Sequence, residues 1–264
     1  MHTDVVTRHP SSEPLLPGPD QLKSIALLLD VDGTILDTAD TPGSVAVSES
    51  LRASLEELHT KCGGALALVS GRLIHDLDGL FAPLRLPAIG GHGAEMRLCG
   101  DDATQARYAA ALGGALRKLV AAVAASDPRI ILEDKGSSLA VHYRLAPHME
   151  RILKTEIDAI IARVGVQGLE VMNGKAVIEI KPTIFSKGEA VREMMNNPPF
   201  AHRKPIFVGD DTTDESVFNI LPMLGGVGYS VERLIPGANG TFDSPYDVRC
   251  WLAHLCGRKE SNWQ

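Results

Sequence analysis

The stretch IALLLDVDGTILD, which spans Ile25–Asp37, decides the fold of this chain. Its first five residues are apolar, and two aspartates one residue apart and a glycine follow at once. An unbroken apolar run of this length is typical of a strand buried on both faces, in a parallel sheet that helices cover. Asp30 and Asp32 come at the carboxyl end of that strand, where ligands bind in open α/β sheets. The pair indicates a metal site, a nucleophilic site or both, unless it only forms a turn or a helix cap.

The composition of the whole chain narrows the class of protein. The chain has 264 residues, 44% of them hydrophobic, enough for one large domain or for a core with a smaller insert. A formal net charge of −7 disfavours nucleic acid and anionic membranes as partners, since both attract basic proteins. The four cysteines lack a zinc-ligand spacing and are expected to be free thiols of a reducing compartment. Without an apolar run of about 20 residues or a signal-peptide core, we expect a cytoplasmic protein, and we expect a monomer.

The segments that flank the first strand alternate between helical and strand patterns. A helix over Glu49–Lys61 precedes a buried strand over Ala65–Val69, and another helix follows from Leu73 to about Leu80. This alternation predicts a parallel sheet. The pattern returns near the end of the chain, with a helix from about Gly188 and a short buried strand over Ile206–Val208.

The pattern changes in the middle of the chain. An alanine-rich helix over Ala103–Ala125 is followed by strands at Ile130–Glu133 and Ser138–Arg144, and by a helix over about Pro147–Val164. Two further strands joined by Asn173-Gly174 have the sequence of a hairpin. Polar residues flank these strands, and in any such sheet most of them are simply solvated; they are Glu133, Lys135, Ser137, His142 and Glu179.

The domain organisation predicted from these patterns has three parts. Residues 1–22, rich in proline and polar side chains, form a loose tail. Residues 23–100 and 182–264 form an α/β core, and residues 101–181 form an inserted α+β domain.

Polar groups follow the other predicted core strands too. Ser70 follows the second strand, where its hydroxyl could bind a phosphate or cap a helix. Lys187 lies at a helix start, which disfavours a cation unless an anion is nearby. Four acids crowd residues 210–215 after the strand that ends at Val208, which is costly without a cation or a helix N-terminus.

Together, the polar residues at these positions indicate a phosphoryl-transfer site. Parallel strands bring their carboxyl ends to one edge, where carboxylates can bind Mg²⁺ and serine and lysine can bind a phosphate. A remaining carboxylate can attack phosphorus. The chain has no G-x-x-x-x-G-K-[ST] sequence, so the site is not a P-loop.

Two sets of motifs resemble known families. DVDGT at 30–34, Ser70, Lys187 and GDDTTDE at 209–215 resemble the four motifs of the haloacid dehalogenase (HAD) superfamily. Across roughly Ile25–Leu255, further motifs resemble, in order, the trehalose-6-phosphate phosphatases; these are ALALVSGR, GGHGAE, EDKGSSLAVHYR, VIEIKP, SKGEA and FVGDDTTDE. The resemblance implies an α/β fold, with a HAD-like Rossmannoid core around a parallel sheet and an inserted α+β cap domain.

The resemblance also implies catalytic roles. Asp30 would be the nucleophile that forms an aspartyl-phosphate. Asp32 would protonate the leaving sugar oxygen and then activate water. Ser70 and Lys187 would hold the phosphate oxygens. The implied cofactor is Mg²⁺, whose implied ligands are Asp30, Asp32 and Asp210, with Asp211 or Asp214 in support.

The implied substrate is trehalose 6-phosphate, which a cleft between core and cap would bind. The residues implied in substrate binding are Arg72, His92 and Glu95 from the core, and Glu133, Lys135 and Glu179 from the cap. Other readings stay open within the same superfamily: a phosphatase for sucrose, glucosylglycerol or mannosylglycerate phosphates, or a phosphomutase. A catalytically silent sugar-phosphate sensor is disfavoured, because the implied catalytic residues are all present.

Overall fold

Two β-sheets form the framework of the structure, a computed structural model that describes residues 16–38, 46–106, 112–165 and 168–258. Within these residues the strands are β1 Ile25–Leu29, β2 Leu66–Val69, β3 Ala88–Gly90, β4 Glu95–Arg97, β5 Gln105–Ala106, β6 Ile131–Asp134, β7 Leu139–His142, β8 Leu169–Gly174, β9 Val177–Pro182, β10 Lys204–Gly209, β11 Val227–Val231 and β12 Gly240–Phe242. The α-helices are α1 Glu49–Lys61, α2 Ile74–Phe81, α3 Gly114–Ala124, α4 Glu150–Val164, α5 Lys187–Met194, α6 Glu215–Phe218 and α7 Pro245–Leu255.

The larger sheet is mostly parallel, as predicted, with β1 near its centre. Its order is β12-β11-β10-β1-β2-β3-β4-β5. The pairs from β12 to β3 are parallel, and those of β4 with β3 and β5 are antiparallel. Because β1 pairs with β10 on one side and β2 on the other, Asp30, Ser70 and Asp210 leave neighbouring strands at the same edge.

Helices cover both faces of this sheet, which explains why β1 is apolar at every position. Alternate residues of a strand face opposite sides of its sheet. Leu27 and Leu29 pack with α1, α2 and α7, whereas Ala26 and Leu28 pack with α5 and α6. All five residues of β1 are buried. A polar residue within β1 would therefore disturb one of two cores.

The smaller sheet is antiparallel, has the order β6-β7-β9-β8, and is the predicted α+β cap. Helices α3 and α4 pack on one face of it through residues such as Val120 and Ile157. The apolar side chains of this unit form a third hydrophobic cluster of their own. The other face of the sheet is turned towards the carboxyl ends of the core strands, because its residues line a cavity shared with them.

Two local predictions in the cap are wrong. The first cap helix begins at Gly114 and not at Ala103, since residues 105–106 pair with β4 in the large sheet; residues 107–111 lie outside the described part. The hairpin turns at Lys175 and Ala176, not at Asn173-Gly174, because β8 continues through Gly174. This register aligns Val171 with Ile180, and hydrophobic pattern outweighs turn preference in fixing register.

The predicted tail also ends earlier than its sequence suggests. Residues 1–15 lie outside the described residues, but Leu22 is buried in the main core. In the described part of the chain no helix is long and apolar enough to span a membrane.

Candidate active site

A cavity of about 1030 Å³ lies where the carboxyl ends of the core strands face the smaller sheet. Most of the site residues predicted from the sequence line it: Asp30, Asp32, Ser70, Arg72, His92, Glu133, Lys135, Lys187, Asp210 and Asp211. The predicted residues Glu95 and Glu179 are not among the residues that line the cavity; Glu95 is bonded to the N–H of Ile74, and Glu179 lies 3.0 Å from His92 Nε2.

The floor of the cavity is built around a buried lysine. The ammonium of Lys187 donates hydrogen bonds to Asp30 Oδ1 at 2.9 Å and to Asp214 Oδ1 at 2.7 Å. Lys187 is the first residue of α5, and Ser186 caps that helix by accepting from the backbone N–H of Glu189. The two carboxylates are thus the anions that make a cation at this helix start favourable.

Asp210 closes the acidic cluster from the neighbouring strand. Thr34 Oγ1 donates to Asp210 Oδ1 at 3.1 Å and lies 3.5 Å from Asp30 Oδ2, so it bridges the two carboxylates. The Asp210 carboxylate can lie this close to the chain after β1 only because residue 33 is glycine. A Cβ on Gly33 would lie 2.2 Å from Asp210 Oδ2, and φ at this residue is +82°. A side chain at this position would therefore be strained and would also displace Asp210.

The cluster holds three carboxylates but one ammonium, which is bonded to two of them, and the pKa values reflect that imbalance. Burial raises the pKa of Asp30 well above its usual value, and Asp214 and Asp210 raise it further against the opposing effect of Lys187. Burial and Asp214 likewise raise the pKa of Asp210 to about 6. Burial lowers the pKa of Lys187, but Asp214 and Asp30 outweigh it, so that pKa lies above its usual value. A bound cation would relieve the excess of acidic groups.

The donor set suits a hard divalent cation. One carboxylate oxygen from each of Asp30, Asp210 and Asp214 lies within 4.8 Å of the others. Asp211 is turned outward: its carboxylate accepts from the N–H of Thr212 at 2.7 Å and faces Arg233 at 3.7 Å. Carboxylate oxygens are ligands that Mg²⁺ prefers. Of the two supporting acids left open by the sequence, the structure brings Asp214 into the cluster.

Asp32 lies over the cavity and is held by a neighbouring guanidinium. Arg72 Nε and a terminal nitrogen of Arg72 each donate to one Asp32 oxygen at 2.7 Å. The Ser70 hydroxyl accepts from the Arg72 N–H at 3.1 Å, which orders the turn that follows β2. This paired geometry fixes the Asp32 side chain in one orientation.

A seam of buried polar contacts joins cap and core beside the cavity. Glu179 accepts from Ser138 Oγ at 2.6 Å, lies 3.5 Å from Lys135 Nζ, and is 3.0 Å from His92 Nε2. Lys135 also donates to the carbonyl oxygen of Gly71 at 3.0 Å. Glu179 is only 6% exposed, so it organises the residues that line the cavity more than it faces the cavity itself.

Acidification is expected to weaken this seam through Glu179. Burial raises the pKa of Glu179, but the charges of His92 and Lys135 outweigh it and hold the pKa well below its usual value. A lowered carboxyl pKa stabilises the fold fully above about pH 4.5, and the effect is lost progressively as pH falls from there towards the much lower pKa in the fold. We expect Glu179→Gln to cost about 3 kcal/mol of unfolding free energy at pH 7, and much less only at about pH 2, where the folded-state carboxyl begins to bind a proton.

Urea unfolding of wild type and variant at both pH values checks this expectation. Glu156→Gln is the matched control, because Glu156 is on the exposed face of the cap helix α4. It is expected to change stability little at either pH. If the Glu179→Gln protein were as stable as wild type at pH 7, the contacts of Glu179 in this seam would not stabilise the fold as we describe.

Of the two predicted substrate-binding residues that remain, Glu133 lines the cavity and Glu95 caps a helix. Glu133 faces the cavity, and its Oε2 lies 2.9 Å from His142 Nε2. Glu95 accepts from the N–H of Ile74 at 2.8 Å, which caps α2 where Leu73 offers no capping side chain. Sequence reasoning missed Thr34 and Ser138 and left His142 without a role. Thr34 could have been found from its place inside the DVDGT motif.

Known proteins resemble this chain over most of its length. The family model described as trehalose-phosphatase matches residues 28–234. A probable trehalose-phosphate phosphatase of Sinorhizobium fredii is 42% identical over 89% of this chain and 88% of its own length. The trehalose-6-phosphate phosphatase of Escherichia coli strain K12 is 36% identical over 91% of this chain and 90% of its own length.

Solved structures agree at the level of the fold. The C-terminal domain of C. albicans trehalose-6-phosphate phosphatase is similar with a TM-score of 0.79 at 22% identity, over 91% of this chain and 96% of that one. The fold is therefore HAD-like, with a mostly parallel core sheet and a cap. From the family model and the two relatives together, we conclude that the chain belongs to the trehalose-phosphatase family.

Proposed function

We propose that this protein hydrolyses trehalose 6-phosphate to trehalose and phosphate, with Asp30 as the nucleophile. The observation that carries the proposal is the position of Asp30. It directly follows β1 at the floor of the cavity, where it is hydrogen-bonded to Lys187 and clustered with Asp210 and Asp214. The cap sheet faces this floor across the cavity with its own polar residues. Such an arrangement suits a small polar phosphate ester that is bound between core and cap.

The proposed reaction proceeds in two displacements at phosphorus. A carboxylate oxygen of Asp30 attacks the phosphorus atom, and the bond to the sugar oxygen breaks while that oxygen takes a proton from Asp32. Water then attacks the same phosphorus atom and gives its proton to Asp32, which restores the Asp30 carboxylate. Lys187 and Ser70 hold phosphate oxygens throughout, and Arg72 keeps Asp32 in place over the cavity.

Mg²⁺ is the cofactor we propose, and its ligands would be Asp30 and Asp210 with Asp214 in support and the backbone carbonyl of Asp32 as a further donor. When bound, the ion supplies positive charge that lets an anionic carboxylate approach an anionic phosphate. The acidic cluster supports this assignment, because its carboxylates outnumber the single ammonium of Lys187.

Addition of Mg²⁺ is expected to raise the melting temperature of the wild-type protein by several degrees. A ligand at about 100 times its dissociation constant stabilises by about 2.7 kcal/mol, and each kcal/mol corresponds to roughly 2–4 °C in a chain of this size. Asp210→Asn should abolish most of the rise, whereas Asp211→Asn should keep it. Differential scanning fluorimetry with Mg²⁺ or with chelator measures the shift. Loss of the rise in Asp211→Asn but not in Asp210→Asn would contradict the ligand set.

The sugar specificity of the site is proposed to come from the cap. Glu133 and Lys135 line the cavity from the cap side, and Glu179 positions Lys135 from behind. A polar site of this kind rejects ligands that lack the matching hydroxyl groups, since its buried polar groups are then left unpaired.

A panel of phosphate esters tests the substrate. Phosphate release from trehalose 6-phosphate is compared with release from sucrose, glucosylglycerol and mannosylglycerate phosphates, each with Mg²⁺ and with chelator. The proposal expects the highest kcat/KM for trehalose 6-phosphate and loss of turnover with chelator. A higher kcat/KM for another sugar phosphate, or no turnover of trehalose 6-phosphate, would overturn the substrate assignment. No turnover of any ester would favour a sugar-phosphate sensor instead.

A further inference from the structure

The cavity face of the cap sheet carries a hydrogen-bonded pair of side chains, Glu133 and His142. In β6, Ile131 and Glu133 are on the same face of the sheet, and Ile131 is aligned with His142 of β7. Glu133 and His142 are therefore diagonal neighbours on that face, where long side chains reach one another. Their nearest atoms, Glu133 Oε2 and His142 Nε2, are 2.9 Å apart.

The direction of this hydrogen bond follows from the charge of Glu133. The hydrogen bond from His142 is the largest cause that lowers the pKa of Glu133, and the neighbouring charge of Lys135 lowers it further. Glu133 is thus a carboxylate, which can only accept, so His142 Nε2 donates. Because the bond to His142 uses Oε2, the other oxygen of Glu133, Oε1, can accept from a ligand. His142 therefore fixes the orientation of a carboxylate that lines the cavity.

Apolar side chains lie beside this pair. Ile131 and Leu145 line the same cavity and remain 46% and 51% exposed. Val177 is aligned with His142 on the other side and also lines the cavity. A pyranose ring presents hydroxyl groups at its edge and C–H groups on its faces. A fixed carboxylate next to exposed aliphatic groups matches both, and burial of these groups by a ligand would be favourable.

We propose that His142 is a positioning residue for sugar selectivity: it holds Glu133 so that Oε1 accepts a hydrogen bond from a sugar hydroxyl, with Ile131, Leu145 and Val177 against the ring. The inference rests on the proposed function, since it requires a sugar phosphate as the substrate. His142 acts through Glu133 and has no part in phosphoryl transfer. Its removal therefore weakens binding of the sugar in ground state and transition state alike.

Steady-state kinetics of His142→Phe and His142→Gln test the role. The amide nitrogen of glutamine can replace Nε2 as a donor, whereas phenylalanine cannot donate. We expect His142→Phe to raise KM for trehalose 6-phosphate by about tenfold or more, with kcat within a factor of about three, because a lost bond to a charged group weakens uniform binding. The ratio of kcat/KM for trehalose 6-phosphate to that for phenyl phosphate falls accordingly, and His142→Gln restores most of it. An equal fall for both esters would overturn the proposal.

A double-mutant cycle separates positioning from a merely structural role. If His142 works through Glu133, His142→Phe has almost no further effect on KM in a Glu133→Gln background. Full additivity of the two effects would overturn the proposal. Lys154→Ala is the matched control, since Lys154 donates to the Glu150 carboxylate on the cap helix away from the cavity. Wild-type turnover of trehalose 6-phosphate tells the two proposals apart: its absence defeats the proposed function, whereas active wild type with an unchanged His142→Phe defeats only this inference.

Discussion

Replacement of Asp30 by asparagine is expected to abolish turnover of trehalose 6-phosphate, by about four orders of magnitude or more, as for the loss of other enzyme nucleophiles. The amide has nearly the same shape as the carboxylate, but its oxygen is too weak a nucleophile to attack phosphorus. Asp30 Oδ1 accepts from Lys187 at 2.9 Å, and an amide oxygen can accept the same bond. The fold should therefore survive.

Asp37→Asn is the control for this change. Asp37 belongs to the same stretch, but its side chain is 74% exposed and faces Arg249. It should retain wild-type turnover. Phosphate release and thermal unfolding are measured for both variants. A folded Asp30→Asn protein with substantial activity would remove the proposed covalent mechanism, because attack at phosphorus would then not need the Asp30 carboxylate.

Lys187→Met is expected to have the largest effect on stability. Lys187 is 3% exposed and is hydrogen-bonded to two buried carboxylates, Asp30 and Asp214. Removal of one partner from a buried ion pair leaves charge uncompensated and costs about 3–5 kcal/mol. At roughly 2–4 °C per kcal/mol the melting temperature should fall by about 10 °C. Phosphate turnover should be lost as well, because the phosphate loses its ammonium partner.

The stability loss of Lys187→Met should depend on pH in a defined direction. Because the pKa of Lys187 is raised in the fold, its stabilising effect is fully present at neutral pH. The effect is lost only when the pH rises above the usual pKa of a lysine. Without Lys187, the buried carboxylates must bind protons to remain in the fold. The deficit relative to wild type should therefore be larger at pH 8 than at pH 5, and Mg²⁺ should reduce it.

Lys204→Met provides the matched control, because Lys204 is exposed at the start of β10. Chemical unfolding of the two variants at both pH values gives the comparison. If Lys187→Met were as stable as Lys204→Met at pH 8, the buried cluster would not have the charge state that we describe. If Lys187→Met retained full turnover, Lys187 would not be a phosphate ligand.

Much of the framework could be predicted from the sequence because its physical causes are local. An apolar run without polar interruption must be covered on both faces, which makes β1 an interior strand. Parallel pairing then brings the residues after each strand to one edge, whatever the loops do. The shared edge of Asp30, Ser70 and Asp210 follows from these two facts alone, whereas the place of Lys187, at the start of α5, does not.

The choice between Asp211 and Asp214 could not be made from the sequence. After Gly209 the chain enters a 3₁₀-helix over Thr212–Asp214, in which Asp214 accepts from the N–H of Asp211 at 3.0 Å. This capping contact turns Asp214 inward to Lys187 and leaves Asp211 at the surface. Both residues are aspartates in the same short segment, so only the turn geometry separates them.

The hydrogen-bond partners of Glu95 and Glu179 could not be predicted from the sequence either. Glu95 and Glu179 are in motifs that suggest contact with a ligand, and in this structure each accepts a hydrogen bond from a donor of the protein. Glu95 caps a helix that begins with an apolar residue, and Glu179 joins two sheets. Such partners lie far away in the sequence and depend on tertiary packing, which no local pattern encodes.

The most direct test of the central claim is to detect the phosphorylated enzyme. Wild-type protein is mixed with trehalose 6-phosphate and Mg²⁺, quenched with acid during turnover, and its peptides are analysed by mass spectrometry while released trehalose is measured. We predict a phosphoryl group on Asp30, absent in Asp30→Asn, together with release of trehalose. A phosphoryl group on another residue, or release of trehalose by an Asp30→Asn protein at the wild-type rate, would contradict the account.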